Sequence, residues 1–134
     1  MAGSQTKLPS CLAILLILLT APAAAPGASQ GARPVTVALS EYQFSPKTLA
    51  FRRGVAYRLH IENRGKETHE FTAPGFFKAV GLTNSALLNA DKTEIVIQPG
   101  EAKDVTFVPK QAGRYPLRCS DHDWAGMIGE IVVK

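Results

Sequence analysis

Cysteine is nearly absent from this chain: 134 residues contain only Cys11 and Cys119. Cys11 lies inside an apolar stretch near the N-terminus, so the rest of the protein has a single thiol and no internal disulfide can form within it. Methionine is as scarce, with Met1 and Met127 alone, and histidine occurs only at positions 60, 69 and 122. Methionine-rich or histidine-rich scavenging segments are therefore missing. Apolar runs long enough to span a bilayer, about twenty residues, are also missing. The basic residues (Arg52, Arg53, Arg58, Arg64, Lys66, Arg114 and Arg118 among them) are scattered, without a dense run or interleaved aromatics. That pattern argues against nucleic acid as a partner. Neither a phosphate-cradling glycine loop, nor a nucleophile–histidine–acid set, nor an internal repeat stands out.

What is present begins with an export signal. Lys7 precedes the apolar run Leu8 to Leu19, interrupted only by Pro9 and Ser10, and Thr20 to Ala28 is a small-residue exit. A basic residue, an apolar core of about a dozen residues and small residues at the end describe a secretory signal peptide. Residues 1–28 are read as that signal, cleaved between Ala23 and Ala28; an uncleaved N-terminal anchor is the alternative. Residues 29–34 read as a flexible lead and 35–134 as one modest domain. Loss of Lys7 takes the formal charge from +4 to +3. The expected location is periplasmic or otherwise exported, and the mature chain is expected to be a monomer without a membrane span. Cys119 is then a lone thiol in a compartment where thiols pair. It is a free thiol, an intermolecular bridge or a metal ligand.

From Val35 onward the apolar pattern has period two. In Val55–Glu62, Val55, Tyr57, Leu59 and Ile61 share one face while Arg58, His60 and Glu62 share the other, as a strand with one buried face requires. Further strands are expected at 35–39, 48–51, 69–72, 94–98, 103–108, 113–119 and 129–134. Turn residues separate them: Arg53-Gly54, Asn63-Arg64-Gly65, Gln98-Pro99-Gly100 and Ala112-Gly113. Pro74 to Asp91 breaks the rhythm and reads as a long loop with a helical turn or two at Ala86–Ala90. Seven or eight short strands in about a hundred residues describe an all-β sandwich. His60 falls on the polar face of its strand and reads as a surface residue.

The chemistry lies near the C-terminus. Cys119, His122 and Met127 occur as Cys-x2-His-x4-Met in a loop between two strands. A thiolate and a thioether favour Cu(I), imidazole serves both copper oxidation states, and a weak axial methionine raises the potential. One loop thus presents three donors to one ion, and a fourth must come from elsewhere. His69, which follows the Asn63 turn and opens the strand His69-Glu70-Phe71, is the candidate.

These residues resemble the cupredoxins, most closely their plastocyanin and pseudoazurin branch, whose ligand loop has the same Cys-x2-His-x4-Met spacing. Tyr42-Gln43-Phe44-Ser45-Pro46 with Gly54 is similar to the family's first hairpin, and Asn63 to Phe71 to its first-histidine segment. The resemblance implies a Greek-key β-sandwich and one copper ion, held in a trigonal plane by His69, Cys119 and His122 with Met127 as a long axial ligand. It also implies that His122 shows its ring edge to solvent and passes the electron there. Two positions depart from plastocyanin: Glu70 stands where Asn commonly follows the first histidine, and Asp121 where Pro precedes the second. Asp123 and Trp124 further alter the surface beside His122.

Four protein ligands leave no open position for a substrate, whereas catalytic metal sites keep one, so an enzyme is not expected. A second loop cysteine for a binuclear centre and the His-x-His pairs of a multicopper oxidase are both lacking. Two functions fit: a one-electron carrier cycling Cu(I) and Cu(II), and a periplasmic copper carrier or copper-resistance protein. A structural zinc site on the same ligands is a remoter reading. The redox partner is expected to be a protein, and Asp121 and Asp123 favour one with a basic contact face.

Overall fold

A computed structural model describes residues 1–4 and 31–134. The expected signal core, Cys11 and the cleavage interval 23–28 lie outside the described residues. Two five-stranded sheets pack face to face. The first contains β1 (Arg33–Ser40), β2 (Gln43–Ser45), β4 (Tyr57–Asn63), β6 (Val80–Leu82) and β8 (Ala102–Pro109), in the order β2-β1-β4-β8-β6. The second contains β3 (Thr48–Phe51), β5 (His69–Thr72), β7 (Glu94–Ile97), β9 (Gly113–Arg118) and β10 (Ile128–Val133), in the order β3-β10-β9-β5-β7. Most neighbours are antiparallel, but β1 runs parallel to β4 and β3 parallel to β10. The chain therefore crosses between the sheets rather than closing each as a meander.

The alternation expected for the fourth strand is realised: Tyr57, Leu59 and Ile61 are buried, Arg58 is exposed, and His60 and Glu62 are intermediate. Phe51, Tyr57, Phe76 and Phe107 interlock in the core. Phe107 sits edge-on to Phe51 and Phe76, at centroid distances of 5.0 and 5.2 Å. Such edge-to-face pairs suit the ring quadrupole and add to burial. His60 lies at the surface, its Nδ1 3.0 Å from Asp104.

Four differences from the sequence reading have local causes. The first strand starts at Arg33, so Arg33 and Pro34 belong to the sheet and not to a flexible lead. Their side chains are exposed, which hides the pairing from a hydropathy pattern, yet Arg33 donates its N–H to the Ala56 carbonyl at 2.9 Å. Strands β2 and β6, three residues each, are too short to show a period. Val55 precedes its strand, because Gly54 and Val55 form a turn that returns to Arg52 and Pro109. The helix of the 74–91 segment lies at its start, α1 (Pro74–Ala79), and only a 3-10 turn, Ser85–Leu87, occurs near the expected place. Pro74 fits the first helical position, where no N–H is needed, and Phe76 and Phe77 anchor the helix in the core. A cavity of about 310 Å³ beside α1 is lined by Phe77, Val80, Leu82 and Leu88, with Lys78 and Lys92 among its other residues. No helix among the described residues is long and apolar enough to cross a membrane.

Candidate metal centre

The donor residues reach one end of the sandwich from two elements. Strand β5 carries His69, and the connection from β9 to β10 carries Cys119, His122 and Met127. In β5 all four residues are buried, since it lies inside its sheet between β7 and β9. Successive side chains of a strand point to opposite faces, so His69 and Phe71 share one face while Glu70 and Thr72 take the other.

The β9–β10 connection is tied at its base. Arg118 pairs with Ile128 in the ladder, and the Cys119 N–H donates to the Met127 carbonyl at 3.0 Å. His122 N–H donates to the Cys119 carbonyl, and Met127 N–H to the His122 carbonyl, each at 3.3 Å. A 3-10 turn, Asp123–Ala125, ends at Gly126 with φ of 85°. That left-handed conformation favours glycine and lets the chain re-enter β10. Gly129 is needed for a different reason: a Cβ there would lie 2.6 Å from the Lys47 carbonyl oxygen, where β10 passes the lead into β3.

This geometry gathers three donors. The Cys119 sulfur and one ring nitrogen each of His69 and His122 all lie within 4.8 Å of one another. Cys119 Sγ is 3.4 Å from His122 Nδ1 and 3.9 Å from His69 Nδ1. Cys119, His69 and Met127 are fully buried. Met127, the fourth donor expected from the sequence, is buried, and its backbone is bonded to Cys119 and His122.

A carboxylate stands on another side of the sulfur. Glu70 is buried, accepts the Cys119 S–H at 2.9 Å through Oε2, and also receives the Asp121 N–H at 3.4 Å. Glu70 also gives its own N–H to Sγ at 3.4 Å. Its carboxylate is not among the donor atoms clustered within 4.8 Å, as the opposite face of the strand requires. Burial, and next the bond to Glu70, push the Cys119 thiol up to about 11.

The outer edges of the imidazoles meet two more carboxylates. His122 Nε2 lies 2.9 Å from Glu67 Oε2, and His69 Nε2 lies 3.6 Å from Glu41 Oε1. Glu41 accepts the N–H groups of Lys66 and Glu67, which hold its carboxyl below the usual carboxylate range. The neighbouring Glu67 charge pushes the Tyr42 hydroxyl upward. Tyr42 packs on His122 at a centroid distance of 4.9 Å, with Trp124 beyond it at 6.1 Å. The ring edge of His122 is therefore more covered than the family resemblance implies. Its side chain is 13% exposed, because Glu67 covers Nε2 and Tyr42 the ring. Trp124, 78% exposed, is the large apolar side chain exposed at this end.

Tyr42 and Glu67 lie in segments that the sequence marked for the first hairpin and for His69, but neither these two nor Glu41 was marked as a neighbour of the metal ligands. Glu41 reaches His69, and Tyr42 and Glu67 meet His122, only because the β1–β2 turn and the β4–β5 loop converge on the metal-site end. Asn63 holds the middle element: its Nδ2 donates to the Glu67 and Ile97 carbonyls at 2.7 and 2.9 Å, and its Oδ1 accepts the Gly65 N–H at 2.9 Å.

A family model described as a cupredoxin-like domain matches residues 10–133. The chain belongs to the cupredoxin-like family. Among solved structures, this cupredoxin is similar to auracyanin B at 20% identity and a TM-score of 0.57, covering 81% of this chain and 93% of that one. It is similar as well to the dithionite-reduced auracyanin of the photosynthetic bacterium Roseiflexus castenholzii. That match has 16% identity and a TM-score of 0.57, and covers 78% of this chain and 99% of the other. At these identities the likeness concerns the fold. A search of curated protein sequences found no match.

Proposed function

We propose that this cupredoxin is an exported mononuclear copper protein that carries one electron at a time, in which His69, Cys119 and His122 would hold the ion and Met127 would add a weaker thioether donor. The observation that carries the reading is the cluster of one sulfur and two imidazole nitrogens within 4.8 Å, two of its three residues fully buried. The donor set fits copper: thiolate and imidazole together suit an ion that changes between its two oxidation states. Bound there, copper supplies a one-electron couple.

The chain's own residues account for the rest. Backbone bonds within 119–127 and the sheet pairing of β5 hold the donors in place in either oxidation state, so little rearrangement accompanies the change. Burial of Cys119, His69 and Met127 excludes water and leaves no position for a substrate, which favours transfer over catalysis. The Glu70 N–H directed at Sγ stabilises the thiolate. At the surface, Glu41, Glu67, Asp121 and Asp123 surround Tyr42 and Trp124, which favours a redox partner with a basic contact face. The match to an auracyanin obtained in a dithionite-reduced form is in keeping with a redox role.

The test is reconstitution of the mature chain with Cu(II). An intense visible thiolate band, lost in Cys119→Ser, and a reversible voltammetric wave are expected. Rapid surrender of Cu(I) to a competing chelator, without a reversible wave, would overturn electron transfer in favour of a copper carrier.

A further inference from the structure

The two imidazoles of the centre are supported unequally. His69 Nε2 is buried without a hydrogen-bond partner, and its approach to Glu41 at 3.6 Å is beyond hydrogen-bonding distance. His122 Nε2, by contrast, meets Glu67 Oε2 at 2.9 Å. We propose that Glu67 is a positioning residue for His122. It accepts the Nε2–H, selects the tautomer whose lone pair is on Nδ1, and keeps that nitrogen aimed at Cys119 Sγ before a metal arrives. The inference rests on the copper reading of the site for its purpose, though not for its geometry.

A neutral imidazole carries one N–H, and which nitrogen holds it is set by the bond the other nitrogen makes. Histidines that ligate metals through one nitrogen commonly donate the other N–H to a carboxylate, and this partner fixes the ring. Here the carboxylate is itself fixed. The Glu67 N–H donates to Glu41 Oε1 at 3.0 Å, and the Glu67 carbonyl accepts from Asn63 at 2.7 Å. The Tyr42 hydroxyl reaches Glu67 Oε1 at 3.4 Å while the Tyr42 ring covers His122. Two segments distant in the chain thus build the holder of one ligand. Because Glu67 occupies the outward nitrogen, a docking protein meets Glu67, Tyr42 and Trp124 in place of a bare imidazole edge.

The experiment compares wild type, Glu67→Ala and Glu67→Gln. Long-range proton–nitrogen NMR of the metal-free, ¹⁵N-labelled mature protein reads the His122 tautomer. The Nε2–H form is expected in wild type, a mixture in Glu67→Ala, and the Nε2–H form again in Glu67→Gln, whose amide oxygen still accepts. Cu(I) affinity measured by chelator competition should fall about tenfold or more in Glu67→Ala and largely return in Glu67→Gln. An Nδ1–H tautomer in wild type, or a Glu67→Ala protein with unchanged tautomer or unchanged affinity, overturns the proposal. The Glu67 side chain is 49% exposed, so its truncation leaves the core intact, and a urea unfolding curve checks this. Wild type with a pinned Nε2–H tautomer but no thiolate colour on adding Cu(II) would refute the copper reading while supporting the role of Glu67.

Discussion

Titrating copper into the metal-free protein at a series of pH values tests the environment of Cys119 directly. The thiol is pushed up to about 11, first by burial and next by its bond to Glu70. Only the thiolate ligates a metal, so uptake must expel this proton. At pH 7 about one molecule in ten thousand would carry the thiolate, against about one in a hundred for a thiol at the ordinary value of 9.0. Apparent affinity at pH 7 then lies about four powers of ten below its alkaline limit, equivalent to about 5 kcal/mol. Between pH 7.5 and 9.5 it should rise about tenfold per pH unit. Competition against a chelator of known pH dependence measures the slope, and calorimetry in buffers of different ionisation enthalpy counts the protons, about one per metal. Glu70→Gln should reduce the offset without abolishing it, since burial is the larger cause. A flat affinity with no proton released would refute the reasoning.

The same shift sets the alkaline stability of the metal-free protein. The native state holds the Cys119 proton more tightly than the unfolded chain, so the stabilisation is fully present below pH 9 and is lost as pH rises from 9 through 11. The loss should be about 2–3 kcal/mol.

Asn63→Ala should cost about 2–4 kcal/mol, seen as a lower urea midpoint at unchanged slope, because the Gly65 N–H and the Glu67 and Ile97 carbonyls lose their side-chain partner. An unchanged midpoint would show that water replaces the amide without loss. Met127→Leu should shift the reduction potential and the visible spectrum while copper stays bound, since a thioether is a weaker ligand than thiolate or imidazole. Complete loss of copper with the fold retained would contradict that role. Replacing Asp121 and Asp123 with Asn should slow electron exchange with small cationic reagents and speed it with anionic ones at nearly unchanged spectrum. Asp121 should contribute more, because Asp123 is paired with Arg118 at 2.8 Å. An equal response to both reagents would place the exit elsewhere.

The sequence by itself determined the sandwich and the order of the donor residues. Period-two alternation reports which face of a strand meets the core, so Tyr57, Leu59 and Ile61 could be assigned inward without coordinates. Cys119, His122 and Met127 lie within one connection, where spacing alone keeps them close, and His69 stood out as a histidine opening a strand after the Asn63 turn. Tertiary structure decided what surrounds them. Arg33 and Pro34 pair through backbone groups that hydropathy does not register, and β2 and β6 are too short to display a period. Glu41, Tyr42 and Glu67 come from segments distant in the chain, and a side chain at a loop tip carries no local sign of the loop it will meet. The same holds for Glu70. Its position after His69 marked it as unusual, but only the pairing of β5 within its sheet turned its carboxylate toward the Cys119 sulfur. Local patterning follows from which residues must leave water, whereas contacts between loops depend on how the two sheets pack.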